Sequence, residues 1–335
     1  MPEGEVRGME YLSVPCGSIM GIPIRLHVFL PLVALLAGIS TMLAGHPWQS
    51  VILAVVVAGP LLLITVLLHE LGHVWAAKRV GCSADHILLW PLGGLAFIGG
   101  SVKPKEQIFI SGSGPATHVP MLGLWAAVLA LLHGSVTLST QGLWIDQDFG
   151  SLVCIAMLNT NLAMLLFNLL VPCFPLDCSR ILASLLLLQG MEPSTAAKVI
   201  VACSVLALLA VLAISAWSVI SHHSSSSLNL LVAIWLGAQT WRLHQARVHG
   251  QLASDPLFAA AMAGQAANTG SGQTIGSAGA AAAGIPASRF RSFQEGPTAM
   301  GKPAHPPSGQ VGLAATLALA IALWVARADH SLNDS

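Results

Sequence analysis

Apolar residues in this chain gather in long blocks. From Val51 to Leu68 the only polar side chain is Thr65. A helix that crosses a bilayer needs about 20 mainly apolar residues. Blocks of that kind occupy residues 27–45, 51–77, 108–132, 152–171, 196–220 and 228–241, and predict about six transmembrane helices. The second block is longer than a bilayer requires, and Pro60 is placed to kink it. Between the second and third blocks, the apolar run from Asp85 to Gly100 is broken at Pro91 and Gly93-Gly94, which predicts a short hairpin or re-entrant segment. Irregular backbone at that depth is tolerated only when buried in protein or lining a wet cavity.

The expected fold is therefore an all-α polytopic membrane protein, integral and multi-pass. Residues 1–26 form a cytoplasmic N-terminal segment, and 27–247 the six-span core. Residues 248–310 turn to Ala, Gly, Ser, Thr and Pro, a composition that reads as a low-complexity flexible tail. The shorter apolar stretch at 311–326, within 311–335, suits an additional membrane helix or an interfacial one.

Composition agrees with this class. The chain is 55% hydrophobic and only 8% charged, against roughly 25% charged for soluble proteins. Zero formal net charge argues against a nucleic-acid partner and leaves the lipid bilayer as the surrounding phase. The six cysteines are scattered without a C-x-x-C pair, so they form neither a disulfide framework nor a zinc finger. Three Glu and two Arg in the first 25 residues do not suit a cleaved signal peptide. With the N-terminus inside and six spans threaded, Arg7, Arg25, Lys78, Arg79, Lys103, Lys105, Arg180, Lys198, Arg242 and Arg247 all fall on the cytoplasmic side. The opposite loops, 45–50, 134–151 and 221–227, hold no Lys or Arg, as the positive-inside rule requires.

Candidate chemistry ends the second block, at His69-Glu70-Leu71-Gly72-His73. Histidines at i and i+4 project from one helical face and can hold one Zn²⁺, and the intervening Glu can act as general base on water. Three ionisable groups at membrane depth point to a functional site by default. Catalytic zinc usually takes three protein ligands. Glu106, His118 and Asp177 are the candidates for the third. Glu106 sits in a Lys-rich interfacial turn and His118 inside the third span. Asp177 follows a fourth helix broken by Pro172 and Pro175 on the same side of the membrane as the His pair, a break that lets its carboxylate turn inward. Asn161 and Asn168, seven residues apart on one face of the fourth span, can join helices, orient a ligand or hold a substrate backbone.

These pieces resemble the site-2 protease family of intramembrane zinc metalloproteases, in particular its bacterial sporulation-type branch. The matching segments are Gly21-Ile-Pro-Ile-Arg-Leu-His27, His69-Glu-Leu-Gly-His73, Pro91-Leu-Gly-Gly94, Gly114-Pro115, and Asn168-Leu-Leu-Val-Pro172 with Pro175-Leu-Asp177, in the family's order over roughly 16–245. The resemblance implies that His69, His73 and Asp177 bind Zn²⁺ and that Glu70 is the catalytic base. It also implies that Pro91, Gly93 and Gly94 offer an edge to an unwound substrate strand. Asn161, Asn168 and His118 are expected around the substrate. The implied partners are membrane protein substrates, cut in or near their transmembrane segments. The chain departs from the family where Cys178 and Ser179 replace glycines, and where His118 stands for the usual Asn. A metal transporter and an inactive helix-binding relative are the competing readings. The transporter leaves Glu70 unexplained, and the inactive relative conflicts with its retention. Substrate, cleavage trigger, membrane and oligomeric state are not encoded legibly.

Overall fold

The computed structural model describes residues 12–91, 93–100, 102–133, 148–220, 227–271 and 308–309. The chain enters through β1 (Ser13–Ile19) and β2 (Ile22–His27), joined at Met20 and Gly21. Both turn residues have positive φ, 55° and 76°, the backbone that a two-residue antiparallel hairpin requires. A short helix α1 (Leu30–Leu43) follows, then the long helix α2 (Trp48–Arg79). Next come β3 (Ser83–Trp90) and β4 (Gly93–Gly99). The remaining helices are α3 (Pro104–Ala116), α4 (His118–His133), α5 (Phe149–Leu170), α6 (Asp177–Leu188), α7 (Pro193–Ile220), α8 (Ser227–Val248) and α9 (Pro256–Ser271). A two-residue strand, β5 (Ser308–Gly309), pairs with Ile98 and Phe97 of β4.

The molecule is mostly helical, but not all-α as the apolar blocks suggest. A five-stranded sheet runs in the order β1 to β5, with β2 and β3 parallel and the other pairs antiparallel. The hairpin expected after the second block is present as β3–β4. The physical reason is that β4 and the second half of β3 are buried on both faces and lack the polar alternation that marks a half-exposed strand, whereas β1 is largely exposed. Ile87, Leu89, Ala96 and Ile98 pack against Val74 and Ala77 of α2. Leu88, Leu95 and Phe97 pack on the other side against Trp90 and Trp235. The sheet thus lies directly against the half of α2 that bears the His pair.

Helix α2 is kinked where Pro60 lacks an N–H. Residues Val57–Leu61 form a π turn, and Gly59 leaves helical geometry at φ −98°, ψ −107°.

Among the described residues, four helical stretches are long and apolar enough to cross a membrane: Trp48–Arg79, Pro104–Leu132, Phe149–Leu170 and Pro193–Trp217. The first expected span begins differently. His27 belongs to β2, and the helix behind it is only 14 residues long. The packed unit also extends past residue 247, where the sequence reading begins a flexible tail. Leu252, Leu257 and Phe258 are buried in one cluster with Phe174, Ala183, Ile200 and Leu243. Composition averaged over a long window hides these three anchors among Ala and Gly. Residues 134–147 of the expected 134–151 loop, residues 221–226 of the expected 221–227 loop, Leu92, the N-terminal residues 1–11, the tail at 272–307 and the stretch 311–326 lie outside the described residues.

Candidate metal centre

Two helices converge on one buried point. Helix α2 contributes His69 and His73, one turn apart and 1% exposed each. Asp177 comes from the first turn of α6 and is 4% exposed. The distance from His69 Nε2 to His73 Nε2 is 3.1 Å, from His69 Nε2 to Asp177 Oδ2 3.2 Å, and from His73 Nε2 to Asp177 Oδ1 3.4 Å. A tetrahedral ion with bonds of about 2.0–2.1 Å spaces its ligand atoms about 3.3 Å apart. The three donors therefore fit one zinc-sized ion.

Hydrogen bonding behind the ring nitrogens supports the same fit. Ile110 offers its carbonyl to His73 Nδ1 at 2.8 Å, and a carbonyl can only accept. His73 Nδ1 is thus the protonated nitrogen, which leaves the Nε2 lone pair facing Asp177 in the neutral ring. A buried carboxylate against imidazole lone pairs calls for a cation among them.

Asp177 is placed by the broken chain before it. Helix α5 stops at Leu170, and the segment to Leu176 is irregular. The segment is anchored by Phe174, whose N–H donates to Ser204 Oγ at 2.8 Å, and by Cys173 and Leu176, which pack on Val232 and Leu236. Helix α6 then starts at Asp177 and directs its carboxylate to the His pair. Arg180 is buried and donates from Nε to the Pro175 carbonyl at 3.3 Å. Cys178 stands outside the His69–His73–Asp177 group, and burial, reinforced by the charge of Asp177, pushes its thiol up and keeps it neutral.

Glu70 is fully buried beside the His pair. The Ala96 N–H of β4 donates to its Oε2 at 3.1 Å, whereas Oε1 has no hydrogen-bond partner. The glycines of the sequence motifs acquire a reason here. A Cβ on Gly94 would run into Cγ of Glu70 and lie 2.6 Å from Oε1. A Cβ on Gly114 would overlap the His73 ring. One on Gly72 would lie 2.5 Å from the Ser113 carbonyl oxygen. Together they let β4 and α3 close on α2, and that approach brings Ile110 to His73.

Several other candidates fall elsewhere. Glu106 caps α3, accepting from the Lys103 N–H at 2.9 Å in an exposed turn. His118 and Asn161, expected around the substrate, form a chain behind His69. His118 Nε2 is 3.1 Å from His69 Nδ1, and His118 Nδ1 is 3.0 Å from Asn161 Oδ1. Asn168 is buried, with Nδ2 donating to the Met164 carbonyl at 3.0 Å and Oδ1 unpartnered. The contributions of Ile110 and Ala96 come from backbone groups, which leave no residue-type signal.

Residues 57–143 match the family described as Peptidase family M50, a stretch that includes His69, Glu70, His73 and His118 but not Asp177. The chain is 33% identical over 180 residues to Zinc metalloprotease MJ0392 of Methanocaldococcus jannaschii, covering 53% of this chain and 46% of that protein. It is 32% identical over 181 residues to Putative zinc metalloprotease Rip3 of Mycobacterium tuberculosis, covering 52% and 44%. The chain thus spans about half the length of the curated relatives it matches. A solved structure titled Site-2 Protease from Methanocaldococcus jannaschii aligns at 24% identity and a TM-score of 0.44, over 69% of this chain and 94% of that one. The motif-bearing stretch around the two histidines and Glu70 is a Peptidase family M50 domain, in a chain similar to proteins named as zinc metalloproteases.

Proposed function

We propose that this protein is an intramembrane zinc endopeptidase that cuts transmembrane or membrane-proximal segments of membrane proteins. The observation that carries the proposal is the buried convergence of His69, His73 and Asp177 with Glu70 alongside, in a chain with four membrane-length helices. When bound, zinc polarises the scissile carbonyl and makes water acidic enough to be deprotonated near neutral pH. Glu70 supplies the base. Its Oε2 is tethered by Ala96, so Oε1 is the oxygen open to take a proton from the attacking water. The same carboxyl then delivers the proton to the leaving amine.

The substrate is expected as an extended strand, because a helical peptide bond is shielded by its own hydrogen bonds. Residues 93–95 of β4 border Glu70 and, among the described residues, pair only with β3, so their other edge suits strand addition. A small apolar cleft lined by Leu30, Leu63, Val66, Leu89, Trp90 and Gly93 adjoins this edge. The basic residues Lys78, Arg79, Lys103 and Lys105 flank α2 and α3, and support a site reached from the cytoplasmic side.

Purified Glu70→Gln protein should keep its zinc and lose about 10²–10⁴-fold in cleavage of a transmembrane substrate, the usual cost of removing a general base. Undiminished cleavage would reject the mechanism. Zinc flux into proteoliposomes without cleavage would favour a transporter.

A further inference from the structure

His69 and His73 have the same partners in front and different partners behind. His73 is held from behind by a backbone carbonyl, whereas His69 is held by a side chain, His118. His118 is itself fully buried, and so is Asn161 behind it. An imidazole can donate or accept at either nitrogen, so its partner's proton arrangement decides which nitrogen of His69 is left with a lone pair.

That arrangement can be read from the far end of the chain. Asn161 Nδ2 donates to the Met157 carbonyl at 2.8 Å within α5. This bond sets the amide orientation and turns Oδ1, an acceptor only, towards His118 Nδ1 at 3.0 Å. His118 must therefore carry its proton on Nδ1. In a neutral ring its Nε2 is then an acceptor, and it lies 3.1 Å from His69 Nδ1. His69 donates from Nδ1, and its Nε2 lone pair faces His73 and Asp177.

We propose that His118 is a positioning residue, and that the Met157–Asn161–His118 chain locks His69 in the tautomer that presents Nε2 to the metal. The inference rests on the reading of His69, His73 and Asp177 as a zinc site, and adds to it a tautomer lock built from side chains of α4 and α5. Its reversed form is specific. If His118 lost the Asn161 acceptor, it could move its proton to Nε2. It would then donate to His69 Nδ1 and force the His69 proton onto the metal-facing nitrogen.

The test is zinc affinity of purified full-length protein in detergent, by chelator competition. Loss of an outer hydrogen-bond partner of a zinc ligand typically costs about 10- to 100-fold in affinity. His118→Leu should fall in that range. His118→Gln, whose amide oxygen can accept the His69 Nδ1–H in place of Nε2, should recover to within about threefold of wild type. Asn161→Leu should weaken zinc about tenfold while His118 is present. In the Asn161→Leu/His118→Gln double variant that loss should vanish, because glutamine has no tautomer to be misdirected. A general packing defect would not be rescued in this way. Wild-type affinity in His118→Leu would overturn the inference, as would a double variant as weak as Asn161→Leu alone. Wild-type protein that fails to bind zinc would instead sink the underlying metal-site reading.

Discussion

Helices α2 and α7 are both long enough to cross a membrane, yet they are built on opposite plans. In α2, the polar residues Thr65, His69, Glu70 and His73 are all buried. In α7, the buried positions among the described residues are Pro193, Ala196, Ala197, Ile200 and Ser204 near its start, while Leu206, Leu209, Ile214 and Trp217 are exposed. In lipid, burial is decided by polarity in the reverse sense from water, because a charged group at membrane depth needs protein partners and a leucine does not. High apolarity alone therefore says little about where a helix sits. The polar residues within it say more, and α2 is the helix against which the sheet and α3 pack and towards which α6 directs Asp177.

The largest effect is expected at the proposed ligands. Asp177→Ala should strip zinc from the purified protein, whereas Glu106→Gln, on the exposed cap of α3, should keep wild-type occupancy by elemental analysis. Full occupancy in Asp177→Ala would mean that the centre around α2 is completed by another residue.

Next in size is the close packing around the His pair. Gly114→Ala adds one methyl where the His73 ring already lies. Overpacking of this kind costs about 1–3 kcal/mol, and here it should also weaken zinc binding by displacing a ligand. Leu209→Ala removes far more volume from α7 and should leave zinc affinity unchanged. If the two variants behaved alike, the distinction between the two helices would be lost.

The smallest effect on chemistry is expected at the periphery of the packed unit. Truncation after residue 271 should leave thermal stability in detergent close to that of the full chain. Truncation after residue 251 removes Leu252, Leu257 and Phe258 from their cluster with α6, α7 and α8. Phe258 alone, if replaced by Ala, should cost about 3–5 kcal/mol. Equal melting temperatures for the two truncations would show that α9 does not belong to the core.

Much of the candidate centre was legible in the sequence because the residues that converge there are constrained twice, by chemistry and by helix periodicity. His69 and His73 need only the i, i+4 rule, and Glu70 adjoins them. Asp177 could be chosen from the prolines before it, since a helix broken at Pro172 and Pro175 must redirect whatever follows. The hairpin was legible at Pro91 and Gly93-Gly94 as a break in an apolar run. Its strand character was not, because β4 and the end of β3 are buried on both faces and carry no alternation. Nor could Leu257 and Phe258 be separated by composition from the low-complexity stretch around them.

Sequence by itself determined the class of this protein, its long apolar helices and the identity of the groups able to hold zinc, since these follow from residue type and spacing along one chain. Tertiary structure alone decided that Ala96 tethers Glu70, that the Ile110 carbonyl holds His73, and that His118 and Asn161 stand behind His69. Those assignments depend on which backbone and side-chain groups meet across different elements. Glycines at 72, 94 and 114 set those distances by what they lack, and a missing side chain has meaning only when its neighbour is known.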